Sequence, residues 1–274
     1  MGAQAAALLS ARGPVGDVPS DLPPLTDVQL EPPPHFDLAT TCLSHGGVGL
    51  APTAWDGRRL HLRLPGHVVV DAALRVHADE PPDVRLLRRV LALDDDLEEL
   101  WAACDRVPAL RWVRRHGGGR VLRSPTVWQD LVGTLAGTRA SYRSTQQMVR
   151  SLVSDGPFPG PEQVQERDLA RWGHRAPWLR GLARAITGGL DVERLLAPAV
   201  PDDEARDSVR ALPGFGPFAT AQLMPLLGRP RPLVLDGWLH DRLGDVGERY
   251  AAMGRCAGTG AWLEATGRRL PAPP

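Results

Sequence analysis

The sequence predicts an α+β fold in which a small N-terminal antiparallel sheet precedes a mainly α-helical core. The apolar pattern carries this prediction, because short β-like runs before Pro81 give way to apolar residues spaced three and four apart after it. Turn pairs such as Gly46-Gly47 and Asp56-Gly57 separate the early runs, as they do in antiparallel hairpins. The chain has 274 residues, 43 % of them apolar, which allows a sizeable core in one or two domains.

The first part of the chain divides into a tail and a β-rich domain. Residues 1–34 alternate alanine, glycine and proline with little periodicity, which predicts a flexible tail. Residues 35–80 form the predicted β-rich domain, whose strand-like stretches are Phe36–Leu43, Arg59–Leu64 and Gly66–His77.

Residues 81–274 form the predicted helical core, with a tight hairpin at 212–217. Nine segments have helical apolar spacing: Asp83–Leu91, Asp95–Ala103, Thr126–Leu135, Ser141–Val153, Pro161–Trp172, Ala176–Thr187, Asp202–Leu212, Pro217–Leu227 and Gly258–Gly267. Residues typical of helix starts precede or begin several of them: Asp94–Asp96, Pro125, Ser141, Pro161 and Pro217.

The charge pattern separates the two parts. The 32 basic residues balance the 32 acidic ones, but residues 1–100 carry a net charge of −7 and residues 101–274 a net charge of +7. Because phosphate attraction acts over about a Debye length, roughly 10 Å, the basic helical part can bind a polyanion in a neutral protein. The alternative is a solvated arginine surface. All the basic residues are arginine, so the sequence excludes Schiff-base and Walker-lysine chemistry.

Several patterns argue against a metal site, a cofactor or a membrane anchor. Cys42, Cys104 and Cys256 lie far apart, the eight histidines form no HExxH pair, and Asp94–Asp96 is interpreted as a helix start. Met1–Ser10 lacks a positive n-region, and no run approaches 18 apolar residues. We therefore expect a soluble cytoplasmic protein with no metal, no cofactor and no membrane contact.

The most informative segment is a two-glycine turn, Leu212–Gly216, between two helical patterns. Its glycines fit the GxGxxA dinucleotide pattern, but that motif needs a preceding strand, and an amphipathic helix precedes the turn here. The nucleotide-cofactor interpretation is therefore disfavoured. Such a turn can instead expose backbone N–H groups beside a helix N-terminus and bind one phosphate, and the alternative is a plain helix–helix turn.

These residues carry a family resemblance. Leu212–Leu227 resembles the helix–hairpin–helix element of the HhH-GPD DNA glycosylase superfamily, and Asp236 lies about 20 residues after the hairpin, where that superfamily has its catalytic aspartate. Ser124–Val132 resembles the helix that opens the family core. Gly173–Leu179 resembles its Gly-Tyr-Arg-Ala segment, with His174 in place of the tyrosine.

The resemblance covers roughly residues 84–267 and extends to the small sheet. That sheet resembles the N-terminal domain of the branch that contains 3-methyladenine DNA glycosylase II and 8-oxoguanine glycosylase. The expected fold is thus the N-terminal sheet followed by an HhH-GPD core.

The resemblance implies a set of site residues. Asp236 would stabilise the oxocarbenium-like sugar and orient or deprotonate water, and its alternative role is a helix N-cap. Gly214, Gly216 and Phe218 would bind a DNA phosphate. Phe218 stands where the bifunctional branch has its lysine, and the chain contains no lysine, so lysine-dependent lyase activity is excluded.

Base flipping requires further residues. The resemblance places Arg139 at the position of the family's wedge residue, where relatives have asparagine or an apolar residue, so it would fill the gap in the duplex or, alternatively, bind a phosphate. Trp178, Trp238 and Trp262 are candidates for stacking on the flipped base, with core packing as the alternative for each.

The functional prediction is a monomeric, monofunctional DNA glycosylase that removes damaged purines from duplex DNA in base excision repair. Alkylated purines are favoured, because alkylation makes the base a cationic leaving group that needs only one carboxylate. The alternatives are 8-oxoguanine-type excision without lyase activity, and a catalytically inactive DNA-binding module. The departures at Arg139 and His174 motivate the inactive module.

Overall fold

The computed structural model describes residues 14–45, 47–64, 66–153, 156–234, 237–244 and 247–267, except the side chains at 237, 238 and 247. Over these residues the predicted α+β architecture is confirmed. The strands are β1 Leu25–Gln29, β2 Ala54–Trp55, β3 Leu60–Leu64, β4 Gly66–Val70 and β5 Arg75–Ala78. The α-helices are α1 Leu38–Cys42, α2 Val84–Val90, α3 Glu98–Asp105, α4 Trp112–Arg115, α5 Val127–Gly137, α6 Tyr142–Arg150, α7 Pro161–Gln165, α8 Ala176–Thr187, α9 Asp202–Arg210, α10 Pro217–Leu223, α11 Gly237–Leu243, α12 Gly247–Ala251 and α13 Ala257–Gly267.

The strands form one antiparallel sheet in the order β1-β5-β4-β3-β2. Leu62 lies opposite Val68 in the β3–β4 hairpin, and both side chains are buried. Leu87 and Val90 of α2 pack into the same hydrophobic cluster, so this helix covers the sheet although it follows residue 81.

The structure corrects the predicted tail. Leu25–Gln29 forms the edge strand β1, and Val15 exchanges backbone hydrogen bonds of 2.7 and 2.8 Å with Trp55. Thr26 further ties β1 to β5, because its hydroxyl donates to the Val76 carbonyl at 2.8 Å. The many prolines of residues 1–34 lie outside β1, and they obscured its short alternating pattern. Residues 1–13 of the predicted tail lie outside the described part of the chain.

Two predicted strands also differ from the structure. The stretch Phe36–Leu43 contains helix α1, because the Asp37 side chain accepts a hydrogen bond from Thr40 N at 2.6 Å and caps the first turn. The stretch Gly66–His77 divides into β4 and β5, because Asp71 accepts from the backbone of Ala73 at 2.9 Å and closes a turn.

The helical core is built around α5, which is buried along nearly its whole length. Its Leu131 and Leu135 are fully buried and pack in one cluster with Leu223 of α10. The predicted helix starts are confirmed at Ser141, which accepts from Ser144 N at 3.1 Å, and at Pro217, which is the first residue of α10.

Some predicted helices are shorter in the structure, and others were not predicted. The segment Pro161–Trp172 contains α7 and the start of a 3-10 helix, Ala170–Arg175, because Asp168 interrupts the helical pattern by accepting from Ala170 N at 2.9 Å. The short helices α4 and α12 have four and five residues, too few to show an apolar period, and α11 also lies outside the predicted segments. Within the described residues, no helix combines the length and apolar character needed to span a membrane.

Candidate functional site

The hairpin joins α9 to α10 through a turn that only glycine fits at its centre. Gly214 has a φ of +84°, and a Cβ built on it would lie 2.6 Å from Leu135 Cδ1 and 2.9 Å from Trp178 Cε3. Phe215 is buried, and its N–H donates to the Leu212 carbonyl at 3.1 Å. The turn is therefore held tightly on its inner side, against α5 and α8.

The outer side of the turn is open. A Cβ built on Gly216 meets no atom within 4 Å, and Gly216 is exposed. Its carbonyl accepts the first helical hydrogen bond of α10, from Thr220 N at 3.0 Å, and Phe218 in the first turn is half-buried. Gly214, Gly216 and Phe218 thus lie together at an accessible helix start, where backbone N–H groups can receive an anion.

Trp178 supports this hairpin. It lies on α8 against Gly214, and its ring meets the His174 ring edge-on, with centroids 5.4 Å apart and an interplanar angle of 86°. It is 36 % exposed. The structure therefore places this candidate stacking residue beside the two-glycine turn.

Arg139 lies in a strained position after α5. Its φ is +46°, a backbone region that non-glycine residues seldom adopt, and its side chain is exposed. The preceding Thr138 is held by the buried Arg175, whose Nε donates to the Thr138 carbonyl at 3.0 Å and lies 3.3 Å from its hydroxyl oxygen. A second donor of the same guanidinium also reaches this carbonyl. Within the described residues the guanidinium of Arg139 makes no hydrogen bond or ion pair, so it is available to a ligand.

A cavity of about 320 Å³, here called the Trp262 cavity, lies between the sheet domain and the C-terminal helices. Its walls come from α1 and the residues after it, from α3, from the segment that follows α10, and from α13. His45, Arg231 and Trp262 are among the residues that line it. Of the two candidate tryptophans whose side chains are described, Trp262 lines this cavity and Trp178 does not.

Trp262 lies under an arginine. The guanidinium carbon of Arg231 lies 4.2 Å from the indole centroid, and both side chains are buried. Arg231 Nη1 also donates to Gln222 Oε1 at 3.2 Å. Arg231 therefore links α10 to α13 in the wall of the cavity.

A smaller cavity of about 50 Å³, here called the Gln222 cavity, adjoins the first, and His45 and Trp262 line both. The His45 and Trp262 ring centroids are 6.1 Å apart. Burial and, to a smaller extent, the positive charge of Arg231 lower the pKa of His45 to about 3, although a hydrogen bond to the backbone of Gln222 acts in the opposite direction. The imidazole is therefore neutral at pH 7.

The Gln222 cavity also contains a buried carboxyl, Asp130 of α5. Its oxygens accept from Ser124 N at 2.8 Å and pair with Arg89 Nη2 at 3.3 Å. Burial raises the pKa of Asp130 to about 7, although the charge of Arg89 and the hydrogen bonds from Ser124 lower it. These contacts fix the start of α5 against α2, which is a structural role.

The predicted catalytic residue, Asp236, lies outside the described residues, as does the side chain of Trp238. The chain on either side of this gap is described. Pro230 and Arg231 line the Trp262 cavity before it, and α11 packs against α13 after it. The prediction for Asp236 stays a prediction.

Sequence reasoning missed His45, Gln222 and Arg231. Gln222 carried one signal, since it is a polar residue among the apolar positions of α10, and it is 1 % exposed. His45 and Arg231 meet it from distant segments, and no spacing rule connects them. Among the described residues, no cluster of three or more histidine, cysteine or acidic side chains is arranged to hold a metal ion.

Comparison with solved structures finds this fold in DNA glycosylases. MBOgg1, solved in complex with a low-affinity DNA ligand, is 18 % identical, with a TM-score of 0.64 over 86 % of this chain and 93 % of that chain. The apo 8-oxoguanine glycosylase/lyase from Clostridium acetobutylicum is 13 % identical, with a TM-score of 0.67 over 90 % of this chain and 99 % of that chain.

The 3-methyladenine DNA glycosylase from Archaeoglobus fulgidus is 16 % identical, with a TM-score of 0.58 over 82 % of this chain and 92 % of that chain. The sequence matches no family profile and no curated protein sequence. The chain therefore has the fold of HhH-GPD-type DNA glycosylases, as its hairpin predicts.

Proposed function

We propose that this chain is a monofunctional DNA glycosylase that hydrolyses the N-glycosidic bond of a damaged purine, with alkylated purines as the first substrate class. The Trp262 cavity carries the proposal. Its volume of about 320 Å³ has room for a flipped base, and its walls include the segment that follows the hairpin helix. A DNA-binding module without turnover has no need of such a cavity.

The hydrolytic chemistry is assigned to Asp236. A carboxylate beside the sugar stabilises the positive charge that develops as the glycosidic bond breaks, and it orients or deprotonates the attacking water. Phe218 at the lysine position and the absence of lysine from the chain support simple hydrolysis without strand cleavage. Alkylation at N3 or N7 makes a purine a good leaving group, so one carboxylate suffices.

DNA binding is assigned to the basic helical part. The open turn at Gly214 and Gly216 would take one phosphate, and the exposed Arg139 would enter the duplex where the base has left. The proposed partner is duplex DNA with a damaged base, bound by a monomer that needs no cofactor and works in the cytoplasm.

The second substrate class is oxidised guanine, excised without lyase activity. Two of the structural neighbours described above are named as Ogg1 or 8-oxoguanine enzymes, which supports keeping this class. Its weakness is chemical, because a neutral oxidised guanine is a poorer leaving group than an alkylated purine.

A panel of duplexes, each with one lesion, tests the proposal. After incubation, abasic sites are scored by strand cleavage with and without alkali. We expect cleavage of at least one alkylated-purine duplex only after alkali. Strand cleavage without alkali would contradict monofunctional hydrolysis, and a panel with no abasic sites would remove the enzyme proposal.

A further inference from the structure

We propose that His45 and Gln222 read one edge of the flipped base and select a purine with a lactam edge over one with an amidine edge. A lactam edge, as in guanine or hypoxanthine, presents a ring N–H beside a carbonyl oxygen. An amidine edge, as in adenine, presents a ring nitrogen lone pair beside an amino group. The inference rests on the proposed function and adds a substrate class to it.

Gln222 supplies a donor of fixed orientation. Its Oε1 accepts from Arg231 Nη1 at 3.2 Å, and its Nε2 is buried with no hydrogen-bond partner among the described residues. Arginine can only donate, so an amide turned the other way would place its NH₂ group against the guanidinium. The contact with Arg231 therefore leaves the NH₂ group as the free half of the amide.

His45 supplies an acceptor of fixed orientation. Its Nε2 is buried without a partner among the described residues, so the hydrogen bond to the Gln222 backbone involves the other ring nitrogen, Nδ1. That bond stabilises the protonated ring, which identifies the Gln222 carbonyl as acceptor and Nδ1–H as donor. In a neutral imidazole, Nε2 then has a lone pair and no proton.

The two groups lie in the same place. The His45 ring is bonded to the main chain of Gln222, and both side chains line the Gln222 cavity. His45 and Trp262 also line the larger cavity, which has the room for a purine. His45 thus faces both cavities, whereas Gln222 lines only the smaller one. A base whose ring lies in the larger cavity would meet the acceptor and the donor with an edge that extends into the adjoining Gln222 cavity.

The pattern has a fixed polarity. A lactam donates from its ring N–H to His45 Nε2 and accepts at its carbonyl from Gln222 Nε2. An amidine offers a lone pair to the His45 lone pair and an amino group to the Gln222 NH₂ group. Because neighbours lock both side chains, neither can reverse its role, and a buried donor or acceptor without a partner is strongly disfavoured.

The wild-type protein tests the selection directly. Methylated DNA contains both 7-methylguanine, which has a lactam edge, and 3-methyladenine, which has an amidine edge. The release of each base is measured and divided by its spontaneous rate. We expect the enhancement for 7-methylguanine to exceed that for 3-methyladenine by about 10- to 100-fold, as for a bidentate base contact.

A single isosteric variant reverses the polarity at one atom. Gln222→Glu keeps an oxygen for Arg231 and replaces the free donor with an acceptor. We expect the 7-methylguanine enhancement to fall by about 10- to 100-fold, with little loss for 3-methyladenine. Thr145→Val is the matched control, because Thr145 lines the same cavity but donates its hydroxyl hydrogen to the Ser141 carbonyl at 3.0 Å. Thr145→Val should leave the ratio of the 7-methylguanine enhancement to the 3-methyladenine enhancement unchanged.

The outcomes separate this inference from the proposed function. Equal enhancement of the release of both bases by the wild type, or an equal loss for both in Gln222→Glu, would overturn the lactam selection. The two buried polar groups would then be paired with water and not with the base. The wild-type ratio decides the matter if the variant does not fold. If no base is released from any lesion, the proposed function fails, and the selection is then measured by wild-type affinity. The duplexes for that measurement carry hypoxanthine or adenine on a cleavage-resistant 2′-fluoro sugar. We expect tighter binding of the hypoxanthine duplex, and equal affinities would overturn the lactam selection.

Discussion

The Arg175 guanidinium holds the carbonyl and the hydroxyl of Thr138, the residue that ends α5 and precedes Arg139. The Nε atom lies 3.0 Å from the carbonyl oxygen and 3.3 Å from the hydroxyl oxygen, and Arg175 is only 7 % exposed. The contact joins the Gly-His-Arg-Ala segment to the loop that presents Arg139 at a φ of +46°. It therefore explains how the loop can hold an exposed arginine in a strained conformation.

Replacing Arg175 should disturb this loop. Arg175→Met leaves the Thr138 carbonyl without its donor, so we expect unfolding to become easier by about 1–3 kcal/mol. We also expect excision to slow by about tenfold, because Arg139 is no longer positioned. Chemical denaturation and single-turnover excision measure the two effects. Arg171→Met is the control, since Arg171 lines one surface cleft with Arg139 and Arg175 but is exposed. Equal slowing in both variants would show that charge alone matters.

Arg139→Ala separates a wedge from a phosphate contact. We expect the wedge, so excision should slow by at least about tenfold because the gap left by the flipped base is unfilled. The slope of log affinity against log salt should stay unchanged. A reduction of that slope by about 0.9 would instead identify a phosphate contact. Arg143→Ala, at a neighbouring exposed position on α6, gives the comparison for loss of one surface charge.

The two hairpin glycines should respond differently to alanine. In Gly214→Ala the new Cβ meets Leu135 at 2.6 Å in a backbone conformation with a φ of +84°, so we expect a destabilisation of about 2–4 kcal/mol. Gly216→Ala adds a methyl group in open space, so its stability should stay within about 0.5 kcal/mol of wild type. Its affinity for undamaged duplex should fall several-fold, because the methyl group would lie in the path of the proposed phosphate. Thermal unfolding and a DNA titration distinguish the pair, and similar destabilisation of both would contradict the geometry of the turn.

Asp130 predicts a dependence of stability on pH. Burial raises its pKa from 3.8 to about 7, so the folded protein binds a proton that the unfolded chain releases. This contribution to stability is complete below about pH 4 and is lost as the pH rises through 7. Asp130→Asn does not titrate. Between pH 5 and 7 the wild type should therefore lose on the order of 2 kcal/mol of unfolding free energy relative to the variant. A difference that is constant with pH would show that Asp130 is ionised throughout.

The sequence predicts those parts of the fold whose signals are local. Ser141 and Pro217 mark helix starts because capping and the fixed φ of proline act within one turn. The stretch Phe36–Leu43 is predicted as a strand but contains helix α1, because its apolar residues recur four apart, as in Leu38 and Cys42, and Asp37 caps the first turn. Strand β1 is an edge strand that pairs with β5, and its five-residue alternation among prolines is too short to predict it.

The candidate site likewise combines residues that local spacing identifies with residues that only the tertiary fold brings together. Gly214 and Gly216 are recognisable from their spacing between two helical patterns, although only Gly214 has the positive φ that requires glycine. The sequence marks Trp178 and Trp262 equally as aromatic, but only packing decides that one supports the hairpin and the other lines a cavity. His45 and Gln222 come together from opposite ends of the chain, so their pairing depends on the tertiary fold.

The most direct test of the account is excision by Asp236→Asn. The variant keeps the size of the side chain and removes its charge, so we expect the release of an alkylated purine from duplex DNA to fall by at least about 100-fold. Affinity for the same duplex should stay within a few-fold of wild type. Asp241→Asn, at an exposed position on α11, should keep wild-type excision. Wild-type excision by Asp236→Asn, or an equal loss of binding and excision, would contradict the assignment of the catalytic carboxylate.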